Sequence, residues 1–308
     1  MEYFDWKLTI RINILMLKSV GLWPKGNEIY KPNLYMLYAI ISVVIIMGGH
    51  NFFQLMNIFF VYNDLEALAE SMFITATDSL ISVKLCFFIL NIRTLKELMM
   101  SLNSVIFQPK SVQQVELVWP RLNIWKKTYV IYWILVGTTV CVWAIFPFLS
   151  NSVKDYRLPF SAWYPYDTKI SPFYEITYFY QVLGMSFRTV AALNMDTMIA
   201  ALMMYTATQC DILCDDLKNL QKDFSEIFKG RVKHHQEIVR FAKNTNKFFN
   251  MILLGQFFTS ITVIAFTMFQ LTLVAPLSGA SLSHMSYISA IIVQIFLYCW
   301  FGNEIEIQ

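Results

Sequence analysis

From Pro32 to Asn63 the chain carries no Asp, Glu, Lys or Arg, and from Phe248 to Asn303 it again carries none. A helix needs about 20 apolar residues to cross a hydrocarbon core of about 30 Å. The first stretch therefore holds one membrane span. The second holds two, because Pro276, Ser278, Gly279, Ser281 and Ser283 interrupt it with turn-forming residues. A third clean run, Thr128 to Val153, includes Trp133, Trp143 and Phe146. The chain is 56% hydrophobic and only 15% charged over 308 residues, whereas soluble proteins are about a quarter charged. Lipid is thus the expected solvent, and the expected fold is all-α: a polytopic membrane helical bundle forming a single unit over 1–308.

Two further spans are weaker. The stretch at about 71–92 contains Asp78 and Lys84, each costing up to ~3 kcal/mol at the membrane centre against ~0.3 to 0.6 gained per Leu, Ile, Phe or Val. The stretch at about 174–203 contains Arg188 and Asp196. Both are expected to insert only with neighbours that take up their charges, with Lys84 to Asp196 the preferred pair. Snorkelling to water or headgroups is the alternative, chiefly for Asp78 and Arg188. The six spans are then about 34–60, 71–92, 128–149, 174–203, 251–275 and 284–303, preceded by an amphipathic segment over 1–33.

Charge placement orients the bundle. Five Lys and Arg precede span one, six lie between spans two and three, and eight lie between spans four and five. The opposite side holds only Lys154, Arg157 and Lys169. The positive-inside rule puts the amino terminus in the cytoplasm. Glu2 and Asp5 break up the start, so no cleavable signal is expected and span one directs insertion. Between spans four and five, residues 204–250 read as a cytoplasmic helical pair. Ile212, Leu213, Leu217, Leu220, Phe224 and Phe228 recur at helical spacing, Gly230 interrupts, and Val232, Ile238, Val239 and Phe241 restart the pattern.

Several strings stand in a characteristic order: Gly21-Leu22-Trp23-Pro24 near the start, Leu158-Pro159-Phe160 and Ala162-Trp163-Tyr164-Pro165-Tyr166-Asp167 in the outer loop, Ser171-Pro172 and Tyr174-Glu175 after it, Asp196 in span four, His234-His235-Gln236-Glu237 to Phe241-Ala242, and Leu297-Tyr298-Cys299-Trp300-Phe301-Gly302-Asn303-Glu304. Taken together, they resemble the insect odorant receptor family of seven-span, ligand-gated cation channels. The resemblance implies a plasma-membrane subunit that binds a volatile or semi-volatile molecule in its outer half. It also implies a cation pore opened with the family's shared co-receptor, in a hetero-tetramer of olfactory sensory neurons. The family's last span has no counterpart after Gln308, so six of seven expected spans are present. These 308 residues by themselves are expected not to conduct.

Spans two and four run inward while three and five run outward. Their outer halves meet at Ile74 and Thr77, Thr139, Val142 and Phe146, Tyr178, Gln181 and Met185, and Phe266, Phe269 and Gln270. This set supplies mostly hydrophobic walls with a few polar groups, the makeup of a small-molecule pocket, although such stripes also serve as plain core. In the outer loop Pro159, Pro165 and Pro172 stand among Phe160, Trp163, Tyr164 and Tyr166. That composition predicts a stiff amphipathic lid over the pocket, or an aromatic belt at the headgroups.

Other chemistries find little support. The net charge of +3 is dispersed among apolar spans, so no nucleic-acid partner is expected, and lipid is the surrounding partner. His234-His235 and Cys210 with Cys214 lack the further ligands that a metal site needs. No phosphate loop, nucleophile motif or acid-base pair points to an enzyme or a cofactor. A G-protein-coupled type of receptor would place its amino terminus outside, against the charge placement. A small-molecule transporter would show repeated halves with broken spans, and none is visible.

Overall fold

A computed structural model describes residues 4–24, 32–149, 155–219, 224–275 and 278–307, and all regular structure among them is helical. Six of the helices are long and apolar enough to cross a membrane, by length and composition.

The first helix, α1 (Lys7–Ser19), buries Thr9, Ile10, Asn13 and Leu17, and Asn13 Nδ2 donates to Thr197 Oγ1 at 2.6 Å. It stops at Gly21, whose φ of 84° suits a residue without a Cβ. Leu22 N then donates to Leu17 O at 2.8 Å and Gly21 N to Lys18 O at 3.2 Å, the paired bonds of a Schellman cap, with Leu17 and Leu22 both buried beneath it. Lys96 Nζ in turn donates to Pro24 O at 3.0 Å. The Gly-Leu-Trp-Pro string thus turns the chain so that α1 packs against the bundle.

The first span is one continuous helix made of α2 (Leu34–Ile40), a π-helical stretch (Ile41–Gly48) and α3 (Gly49–Val61). Asn33 starts it, its Oδ1 accepting from Met36 N at 2.9 Å. The π-helical stretch and its end offer carbonyls to a neighbour: Tyr180 Oη donates to Ile45 O at 2.7 Å, and the Arg188 guanidinium donates to Met47 O. Asp64 caps α4 (Leu65–Leu90) through Glu66 N and Ala67 N. The short amphipathic α5 (Ile92–Leu102) buries Ile92, Leu95, Leu98, Met99 and Leu102. The long helices α6 (Val112–Leu149), α7 (Phe173–Lys218), α8 (Phe224–Leu273) and α9 (Gly279–Ile307) complete the bundle.

α7 is the central post. Its most apolar window is 89% buried, against at most 39% in the other five span helices. Those five present the apolar surfaces that face lipid, such as Phe59, Ile131, Phe258 and Phe296.

One expectation needs correction. Gly230 breaks the apolar pattern but not the helix, since α8 runs through it without interruption. A glycine in a helix interior costs only about 1 kcal/mol relative to alanine, and the buried face of His234, Ile238 and Phe241 just beyond it outweighs that cost. Residues 204–218 and 224–250 are continuations of α7 and α8, joined by His234 Nε2 to Gln209 Oε1 at 3.0 Å. Leu220 and the Phe224 side chain lie outside the described residues, as does Pro276.

Candidate functional site

α4, α6, α7 and α9 converge around a cavity of about 140 Å³, with Gln256 of α8 on its wall. Helical spacing brings the lining residues to it: Ile74, Thr77, Ile81 and Lys84 on α4, Tyr132, Val136, Thr139 and Trp143 on α6, Met185, Arg188 and Ala192 on α7, and Tyr287, Ile291 and Gln294 on α9.

The intramembrane charges stand around this cavity as two pairs. Lys84 Nζ lies 2.8 Å from Asp196 Oδ1, with both side chains almost wholly shielded from solvent. The Tyr298 hydroxyl and the Gln294 amide donate to the same carboxylate, so its lone pairs are well used. Arg188 Nε lies 3.0 Å from Asp78 Oδ1, and the guanidinium also donates to Met47 O and Asp78 O. His50 Nε2 stands 3.6 Å from the Asp78 carboxylate. Asp78 and Arg188 therefore pair inside the bundle, where snorkelling was the alternative.

Rings close the outer end. Trp143 stacks on Phe160 with centroids 5.2 Å apart and planes 19° apart, while Phe73, His284 and Tyr287 pack against Trp143 at angles. Phe160 belongs to the outer loop and is held by Gln181 of α7. Its N–H donates to Gln181 Oε1 at 3.1 Å, and Gln181 Nε2 donates to its carbonyl at 3.0 Å and to the Tyr164 oxygen at 3.2 Å. Burial pushes the Tyr164 phenol up from its ordinary pKa, against the opposing effect of the Gln181 hydrogen bond, so it stays uncharged.

The rest of the loop is pinned along the first span. Trp163 N donates to Phe53 O at 3.1 Å, its ring stacks on Phe60 at 5.4 Å, and Tyr164 packs on Phe53 at 4.7 Å. The Tyr166 hydroxyl meets Thr177 Oγ1 at 2.8 Å, while Pro165 is exposed. Above the Trp143–Phe160 stack lies a second, outer cavity of about 620 Å³, rimmed by Glu66, Glu70, Arg157 and Pro159 and sharing Ile74, Trp143 and Phe160 with the inner one. The stack is thus the partition between them.

Of the residues expected in a pocket, Ile74, Thr77, Thr139 and Met185 line the inner cavity. Gln270 lines the outer one and donates to Glu66 O at 3.2 Å. Gln181 anchors the loop. Tyr178 donates to Ala144 O at 2.7 Å and lines a separate lateral groove with Phe148. Val142, Phe266 and Phe269 line neither cavity, and the Phe146 side chain lies outside the described residues. Sequence reasoning missed Tyr132, Trp143, Gln256, Tyr287 and Gln294. A usable signal existed in Gln256 and Gln294, glutamines inside otherwise apolar spans, and in the spacing of Tyr287, Ile291 and Gln294.

Comparison with known proteins places the architecture. A family model described as 7tm Odorant receptor matches residues 64–308. In sequence, the chain is similar to Odorant receptor Or1 of Anopheles gambiae, 23% identical over an alignment 344 positions long that covers 99% of this chain and 80% of that protein. In structure, it is similar to the insect olfactory receptor OR5 from Machilis hrabei, with a TM-score of 0.83 at 20% identity over 98% of this chain and 81% of that one. The same receptor in complex with eugenol gives a TM-score of 0.84, at 20% identity over 99% and 81% of the two chains.

Proposed function

Since the chain belongs to the 7tm Odorant receptor family, as a multi-pass membrane receptor and not an enzyme, we propose that it is the odorant-binding subunit of a ligand-gated cation channel assembled with the family's shared co-receptor. The observation that carries this reading is the inner cavity between α4, α6, α7 and α9, closed from the outer cavity by a stacked Trp143 and Phe160. A small volatile molecule enters the outer cavity, displaces the stack and settles beneath it. The outer loop acts as the lid, because Phe160 moves only with the strand of loop that Gln181, Phe53 and Phe60 hold in place. A ligand shifts a conformational equilibrium only through different affinities for the two states. What supports gating through the cavity is that three of its wall helices, α4, α7 and α9, are tied together by the Lys84–Asp196–Gln294 cluster, so displacement of these helices changes its shape.

The test is a whole-cell recording of the chain co-expressed with the co-receptor, with G-protein signalling blocked. Ligand-evoked cation current within milliseconds is expected, and Trp143→Ala should reorder ligand potencies while leaving surface expression intact. A response abolished by the G-protein block, or a Trp143→Ala variant with unchanged ligand order, defeats the reading.

A further inference from the structure

Trp143 Nε1 and His50 Nδ1 at the cavity wall have no hydrogen-bond partner, and two further hydrogen-bonding groups of that wall also lack one among the described residues. Tyr132 is 4% exposed and lines the cavity, yet its hydroxyl has no hydrogen-bond partner among the described residues. Gln256 spends its Nε2 on Ser260 Oγ and Gln294 Oε1, both at 2.9 Å, and its own Oε1 has no hydrogen-bond partner among the described residues. Buried polar groups are normally satisfied, and each exception calls for a partner. Tyr132 offers an O–H to donate and Gln256 an oxygen that accepts. A hydroxyl is the small group that answers both, accepting from the first and donating to the second.

Charge and size narrow the class further. The charged side chains at the cavity cancel in pairs, Lys84 with Asp196 and Asp78 with Arg188. An ionised ligand would enter a shielded site with no free counter-ion and lose its hydration uncompensated. The volume of about 140 Å³ is close to that of an engineered apolar cavity, about 150 Å³, which takes up one benzene. Trp143 and Tyr287 supply ring faces at the outer end, opposite Tyr132, Gln256 and Gln294 at the inner end.

We infer that this chain selects neutral alcohols or phenols of about one ring, bound with the hydroxyl inward between Tyr132 and Gln256 and the hydrocarbon outward beneath Trp143. This rests on the odorant-receptor reading of the same cavity and adds the ligand class. The experiment uses the chain with its co-receptor and six probes: benzyl alcohol, benzyl methyl ether, toluene, benzoate, benzylamine and 1-dodecanol. Evoked current and ligand-induced thermal shift of the purified chain are both read. Benzyl alcohol is expected to lead. Tyr132→Phe should weaken it about tenfold, the loss of roughly one net hydrogen bond, and change toluene by less than about twofold. Should Tyr132→Phe fail to reach the surface, Gln256→Met must show the same selective loss. A ranking led by benzoate, benzylamine or dodecanol, or equal losses for alcohol and toluene, overturns the ligand class and leaves the odorant reading standing. Silence to all six in both readouts, from surface-expressed protein, overturns this class as well, and silence to a broad volatile panel brings down the reading beneath it.

Discussion

Lys84 and Asp196 show how two residues too costly for lipid become a structural asset. Alone, each would cost ~3 kcal/mol at the membrane centre. Together they meet at 2.8 Å, with Tyr298 and Gln294 donating to the same carboxylate. Such pairs matter most when broken, because removing one partner strands a buried charge at a cost of about 3–5 kcal/mol, whereas replacing both with apolar residues is often near neutral. Asp196→Ala and Lys84→Met should therefore each lower the melting temperature of the detergent-purified chain and its surface level. The double variant Lys84→Met with Asp196→Leu should recover a large part of the loss. Two single variants whose melting curves match the parent's would show that water, not the partner, carries these charges.

At the scale of elements, the amino-terminal helix depends on one glycine. Gly21 sits at φ 84°, and a Cβ built there would stand 2.8 Å from Ala39 Cα, on the first span's backbone. Flexible side chains can yield to such a clash, but backbone cannot. Gly21→Ala should undock α1, adding backbone strain of about 1–3 kcal/mol to the lost packing of Leu17 and Leu22. Hydrogen exchange is the measure: amides from Ile10 to Leu17 should lose protection while those of central α7, at Leu193 to Leu202, keep it. Unchanged protection at Ile10 to Leu17 would mean that the bundle yields around the added methyl. The contrast with Gly230 is instructive, since no atom of the described residues lies within 4 Å of its Cβ position and its helix passes straight through.

For the whole molecule, charge placement predicts the orientation. Nineteen Lys and Arg lie on the side of the amino terminus and three on the other, outside the spans. A glycosylation cassette inserted after Ser152 should be modified and one inserted after Gly26 should not, both positions lying outside the described residues. The chain has no native Asn-x-Ser/Thr acceptor to confuse the result. Modification at Gly26 would reverse the orientation and with it the entry route through the outer loop.

The helical class, the number of apolar helices and the family strings were legible in the sequence because they are properties of composition and local order. An uncharged run long enough for lipid has few alternatives. The candidate cavity was legible only in part. Ile74, Thr77, Thr139 and Met185 came from counting outward along four spans, yet the same count proposed Val142 and Phe269, which face elsewhere, and left out Tyr132 and Tyr287. Helical spacing fixes which residues share a face, but not the rotation of each helix about its axis. That rotation is set by contacts far apart in sequence: Arg188 reaching Met47 O and Asp78, Gln181 reaching Phe160, Lys84 reaching Asp196. The sequence by itself determined that this is a membrane bundle and which charges needed partners. Only the tertiary structure decided which faces meet around the cavity, because those pairings are energies between helices rather than within them.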